Sequence, residues 1–336
     1  MRPFVALTFP PMLKREKSMM FFGLNADQRS YEGVFLFFGI YIFASLFAAT
    51  FTAPLYWLIQ WWASVSPSET MDWLLGKRMD VFYDRLRWAP IIIGLPWMMK
   101  RCGMFSWKNL GLPASKAGAA TFGRAFLTGV IMSAIVCVCQ YFHYGMHLRQ
   151  SVDIADIIIS SLLGGIILGF LEEIVFRGLI MRSFYTAWGP VTAIILTSLF
   201  FAYKHFKVPG RVMDALPNGG YGVANWDVGF LVAYYDTIGI CMTFDAVQFF
   251  ALFMFSAVLA LVYIRTKMLW GPIAFHAGSV FFMLSYRKIF ERPEGPDSVF
   301  FGTGALTNGY MVLILLTAIF AGLLLLWPKK KEEGNG

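Results

Sequence analysis

Charged residues are scarce in this chain. Asp and Glu number 20 and Lys and Arg 28 among 336 residues, 14% in all, where a soluble globular domain carries about 25%. Histidine has only four copies, and so has cysteine, at Cys102, Cys137, Cys139 and Cys241. The cysteines are scattered. Cys137 and Cys139 lie two apart in an apolar run and point to different sides of a helix, which excludes a disulfide framework or a zinc ribbon; they read as buried, inert thiols. No internal repeat or low-complexity tract is visible. No basic stripe with interleaved aromatics lies in a polar segment, so the net charge of +8 points away from nucleic acid and toward cytoplasmic loops against anionic lipid. Met1–Arg29 is mixed and basic, and the first apolar run is too long for a signal peptide and lacks a small-residue cleavage site, so it reads as a retained first span.

Apolar side chains fill the place of the missing charge. The chain is 58% hydrophobic and 18% aromatic, with a mean hydropathy of +0.61. Runs of about 20 apolar residues are the unit of a membrane helix, and they fall at 33–62, 83–99, 122–143, 155–184, 188–207, 245–265, 268–287 and 308–327. The expected fold is all-α, a polytopic bundle of about eight transmembrane helices around a buried polar cavity. The second run joins an amphipathic stretch, Asp72–Arg87, suited to the membrane interface. Lys and Arg concentrate on one side of this topology, most clearly at Lys329-Lys330-Lys331, which places both termini in the cytoplasm. The short loops fit a prokaryotic plasma membrane. Three regions follow: 1–150 with about three spans, 151–290 with the chemistry-bearing helices, and 291–336 with the last span and a basic tail. Residues 208–244, rich in Gly, Pro, Asn and Asp, read as a long surface loop with the option of a lid.

Against this background Gly169-Phe-Leu-Glu172-Glu173-Ile-Val-Phe-Arg177-Gly178 stands out. Each charge at bilayer depth costs about 2.5–3.5 kcal/mol on insertion scales. Glu173 and Arg177 are four apart and can pair on one helix face. Glu172 is turned about 100° away, and its own i+4 neighbour is Phe176, which carries no charge. An acid placed in apolar surroundings without a cation in helical register is a candidate general base. Gly165-x-x-x-Gly169, just before it, lets a neighbouring helix approach closely.

Two of the four histidines, His205 and His276, also lie in apolar runs. With a turn near 184–189 and a rise of about 1.5 Å per residue, Glu172 and His205 fall at similar depth, and ordinary helix tilt can bring His276 there. One acid and two imidazoles suit peptide hydrolysis: a base for water, a donor for the developing oxyanion, and a proton carrier for the leaving amine. The same three residues are a conceivable zinc set of two His and one carboxylate, although no His-Glu-x-x-His helix is present. His143 and His147, four apart, have metal-binding spacing but read as interfacial. Lys204 is either a substrate-carboxylate contact or a snorkelling side chain.

Glu172-Glu173-x-x-x-Arg177, then Phe201-x-x-x-His205, then His276 resemble the CPBP superfamily, which includes the CAAX prenyl endopeptidases of the Ras-converting type and bacterial Abi-type membrane proteins. The resemblance spans residues 155–287. It implies an intramembrane protease without a required cofactor, zinc being the alternative. In this resemblance Glu172 activates water, Glu173 and Arg177 shape the site, and His205 and His276 position water and stabilise the oxyanion. The substrate it implies is a membrane-embedded or lipidated peptide in the bilayer. The chain departs from the family pattern at Val280, where an Asn or Asp is common four residues after the histidine; Ser279 is the candidate substitute. Two other functions fit intramembrane Glu, Arg and His: a proton-coupled transporter, whose repeated broken helices are not seen here, and a non-catalytic scaffold or immunity-type protein.

Overall fold

A computed structural model describes residues 26–101, 106–107, 110–206, 216, 220–222, 225–242, 244–302 and 306–326. The basic tail with Lys329–Lys331, most of Met1–Arg29 and Cys102 lie outside the described residues. Every one of the eight expected runs is helical: α1 (Ala26–Val65), α3 (Met79–Arg101), α4 (Lys116–Tyr144), α5 (Ile154–Glu173) with a π-helical continuation (Ile174–Met181), α6 (Arg182–His205), α8 (Ala246–Thr266), α9 (Trp270–Ile289) and α10 (Tyr310–Leu326), with the short α2 (Glu69–Leu75) and α7 (Val228–Met242) between them. Strand is confined to a two-residue ribbon, in which β1 (His147–Leu148) pairs antiparallel with β2 (Phe290–Glu291). Four segments are long and apolar enough to cross a membrane, Phe35–Val65, Lys116–Tyr144, Ile154–Tyr185 and Ala246–Thr266; Val228–Met242 and Tyr310–Leu325 are shorter apolar helices. The chain is an all-α membrane helix bundle.

Exposure follows the solvent. Ile131, Ile135, Val138 and Phe142 form one exposed stripe along α4, and Ile159, Leu163 and Ile167 another along α5. Contiguous apolar faces of this kind are unstable in water and are the natural lipid contact of a membrane helix.

The helices form two compact units. One comprises the described residues of Ser106–Ala202 and Asp245–Gly336, the other those of Met19–Phe105 and Tyr203–Phe244. In the first, α9 is the central helix: every residue from Gly271 to Val280 is buried, as expected of a helix covered on all sides. Small residues allow this. A Cβ on Gly165 would lie 2.7 Å from the Ala277 carbonyl oxygen, and one on Gly278 would lie 2.2 Å from that of Phe126, so α5 and α4 meet α9 almost backbone to backbone. Met132, Val136, Val258, Leu259, Phe275 and Leu316 fill the layer between α4, α8, α9 and α10.

Three local features position the site. Asp153 caps α5, its side chain accepting from the Asp156 amide. The helix then widens into the π segment, all eight residues of which are buried; such segments occur frequently at functional sites. Finally Gly189, with φ 80° and ψ 179°, breaks α6 just before Pro190, which is the turn expected near 184–189.

In the second unit α1 packs against α3 and α7, with Ala48, Ala49, Ala53, Tyr56, Phe82, Tyr83, Val228 and Val232 in the core. Here the structure corrects the sequence reading of 208–244 as one long loop. Val228–Met242 is an apolar helix, and a Cβ on its Gly229 would lie 2.0 Å from the Ala49 carbonyl oxygen. The surrounding Gly, Pro and Asn residues dominate the composition of the segment and hide a 15-residue helix. The amphipathic stretch Asp72–Arg87 is divided too, between α2 and α3, and Arg87 is buried.

Candidate active site

The end of α5 and the π segment put Glu173 and Arg177 on one buried face. Both side chains are completely inaccessible, and Arg177 Nη1 donates to Glu173 Oε1 at 2.8 Å. This is the i,i+4 pair expected from the sequence. His276 of α9 meets the same carboxylate oxygen: its Nδ1 lies 2.9 Å from Glu173 Oε1. The other end of the guanidinium is held by α8, where Arg177 Nη2 donates to the Ser256 backbone oxygen at 3.0 Å and to Ser256 Oγ at 2.9 Å. Aromatic rings close the cluster. Phe201 of α6 lies 5.1 Å from the guanidinium and 6.3 Å from the His276 ring, and Phe255 of α8 presents its edge to His276 at 5.3 Å.

Burial makes each of these contacts consequential. An ionised acid or guanidinium in a low-dielectric interior is tolerable only when paired and hydrogen-bonded. Glu173 and Arg177 neutralise one another, and Ser256 and His276 occupy further donors and acceptors. A carboxylate only accepts, so a neutral His276 facing Glu173 carries its proton on Nδ1 and leaves Nε2 as the acceptor. The imidazole is thereby fixed in tautomer and in orientation.

Glu172 is the next residue along the helix. It is half-buried and feels the charge of Arg177. His276 and Arg177 meet on Glu173, so the structure brings His276 to the second acid of the pair, where the sequence reading grouped it with the first. His205 is the last residue of α6 and is half-buried; it belongs to the second unit. Ser279 lies on the buried face of α9 toward α4: its hydroxyl donates to the Phe275 backbone oxygen at 2.8 Å, with Gly129 O at 3.5 Å, and its own carbonyl accepts from Ser133 Oγ. That hydroxyl is committed to helix packing. His143 stacks on Phe301 at 4.1 Å, while His147 belongs to the β-ribbon.

The cationic position beside Glu173 Oε1 is taken by the guanidinium of Arg177. Sequence reasoning missed Ser256 and Phe255. Their only signal is position, a lone serine and its neighbour in the middle of an apolar helix, which carries no pattern until α8 is seen beside Arg177.

Residues 154–282 match the family described as type II CAAX prenyl endopeptidase Rce1-like. The matched segment holds Glu172, Glu173, Arg177, His205 and His276. No curated protein matches the chain, and neither does any solved structure. The match of 154–282 to an Rce1-like domain supports the resemblance of this membrane protein to the CPBP superfamily.

Proposed function

We propose that the chain is an intramembrane endopeptidase that hydrolyses a peptide bond in a membrane-anchored or lipidated substrate, using a water activated by Glu172. The observation that supports this most is the buried relay Ser256–Arg177–Glu173–His276 inside the Rce1-like domain. Glu172 is the next residue to Glu173 along this helix and feels the charge of Arg177; the motif makes it the base in this reading.

In this reading Glu172 takes a proton from water as the water oxygen bonds to the scissile carbonyl carbon. The carbonyl oxygen becomes an oxyanion, which accepts from an N–H of His205 or from Nε2–H of His276 in its imidazolium form. The C–N bond then breaks, and the proton held by Glu172 passes to the leaving amine. Glu173 holds His276 in place, as a carboxylate orients the imidazole in other hydrolytic sites. The second motif assigns His205 a share in the same step. Ser279 is left out of the oxyanion contact because its hydroxyl already bonds Phe275. No step runs through a metal. The excess of Lys and Arg on one side of the topology supports termini in the cytoplasm, and short loops support a prokaryotic plasma membrane.

The test is a quenched fluorescent peptide ending in a prenylated CAAX box, presented with the protein in proteoliposomes. Glu172→Gln is expected to abolish cleavage without altering expression or thermal stability, and His276→Ala to lose most of it. Cleavage by Glu172→Gln at the parental rate sinks the mechanism.

A further inference from the structure

A second group of charges sits in the helices of the other unit. Arg87 of α3 donates to Asp84 on its own helix at 2.6 Å and to Asp236 of α7. Asp236 Oδ2 also takes Lys204 Nζ, at 3.4 Å, and Lys204 Nζ reaches the hydroxyl of Tyr41 on α1. The side chains of Arg87, Asp236 and Lys204 are only 10%, 12% and 15% exposed. Two acids balance two bases, so the network is neutral as a whole. Ionisable groups this buried in a membrane protein are rarely retained without a task.

Where the network ends suggests the task. Lys204 is the residue before His205. Tyr203, one residue earlier, donates its hydroxyl to the backbone oxygen of Thr237 at 3.1 Å, and Thr237 follows Asp236. Consecutive residues of the last turn of α6 are therefore tied to consecutive residues of α7, and the α7 end of the tie is braced by Arg87. The final turn of a helix otherwise frays, since its last carbonyls lack partners within the helix. This one carries the motif histidine.

We infer that Asp236 is a positioning residue for His205, acting through Lys204: it pins the last turn of α6 to α7 and so holds the imidazole. The inference rests on the hydrolase reading for its importance to catalysis, but its structural half stands independently. Lys204 is then neither a substrate contact nor a snorkelling side chain, the two options its sequence position left open. The reason for an aspartate in an otherwise apolar α7 also follows, because only a carboxylate can serve a guanidinium and an ammonium together.

The deciding variant is Lys204→Met, which leaves Arg87 paired with Asp84 and Asp236 and so spares the fold of the unit. Hydrogen exchange in detergent micelles reads the tie directly. Amides of Tyr203–Phe206 are expected to exchange at least about tenfold faster, with those of α4 unchanged. Cleavage of the prenylated peptide should fall in kcat by roughly 10–100-fold at near-constant KM, the scale of a displaced catalytic group. Lys204→Arg, which can still pair with Asp236, should recover most of both effects, and Tyr203→Phe should move both in the same direction as Lys204→Met. Parental exchange rates in Lys204→Met overturn the inference. So does faster exchange with unaltered kcat, and so does a rise in KM alone, which would make Lys204 a substrate contact. Glu172→Gln in the same assay separates the two readings: surviving cleavage there overturns the hydrolase while the exchange result still decides the positioning.

Discussion

Glu172 and Glu173 are the same residue type, one peptide bond apart, yet their surroundings give them different properties. Glu173 is completely buried between Arg177 and His276, so removing it leaves a guanidinium without its counter-ion. Glu173→Ala is expected to cost about 3–5 kcal/mol of stability, the penalty for stranding one partner of a buried pair. Glu172→Gln should leave the melting temperature in detergent close to the parental value while removing activity. A melt in which the two substitutions are equally harmful would contradict this division of labour. Ser256→Ala is a subtler case. It deletes the hydroxyl that accepts from Arg177 Nη2 but keeps the backbone acceptor, and a hydrogen bond to a charged group contributes about 1.5–3 kcal/mol; differential scanning should find a loss in that range. The Glu173–Arg177 pair could be read from the chain because i,i+4 spacing is a local geometric fact. The partnership of His276 with Glu173 could not, since it spans 103 positions and depends on how α9 is rotated against α5.

At the scale of elements, the site exists because helices approach one another without side chains between them. Gly165 faces the Ala277 carbonyl, where a Cβ would stand at 2.7 Å, whereas a Cβ on neighbouring Gly164 meets only the Leu284 side chain at 3.6 Å. Gly165→Ala is expected to push α5 from α9, lower the yield of folded protein and disturb the contact between Glu173 and His276. Gly164→Ala should be neutral or stabilising by about 0.5–1 kcal/mol, because alanine restricts the unfolded chain and favours helix. Size-exclusion yield and thermal melts of the two variants test the contrast; equal behaviour would mean that the close approach is not what holds α5 in place. The eight apolar runs were legible as helices from length and hydropathy, and the close packing at Gly165 and Gly169 from their spacing. The π segment was not legible, because apart from Arg177 the run Ile174–Met181 reads as an ordinary apolar helix, with nothing local to mark the wider turn; all eight residues are buried. Nor was α7, whose flanks gave 208–244 the composition of a loop.

For the whole molecule, the hydrolase reading predicts a change in the membrane proteome. Cells carrying Glu172→Ala should accumulate uncleaved membrane-anchored or lipidated peptides that parental cells trim, and quantitative peptide comparison of the two membranes would identify the substrate. An identical peptide inventory in both strains would count against proteolysis and in favour of a scaffold. In this reading activity should also persist under strong chelation, since a carboxylate and not a metal activates the water. The order of residues along the chain was enough to establish a membrane bundle, the pairing of Glu173 with Arg177 and the resemblance to a protease family, because hydropathy, helical spacing and short motifs are all local properties. Folding alone decided which acid receives His276, that Ser256 secures the arginine, and that Asp236 holds the turn before His205. Those contacts join residues far apart in the chain, and their formation depends on helix rotation and on backbone approach at a few glycines, neither of which is written at any one position.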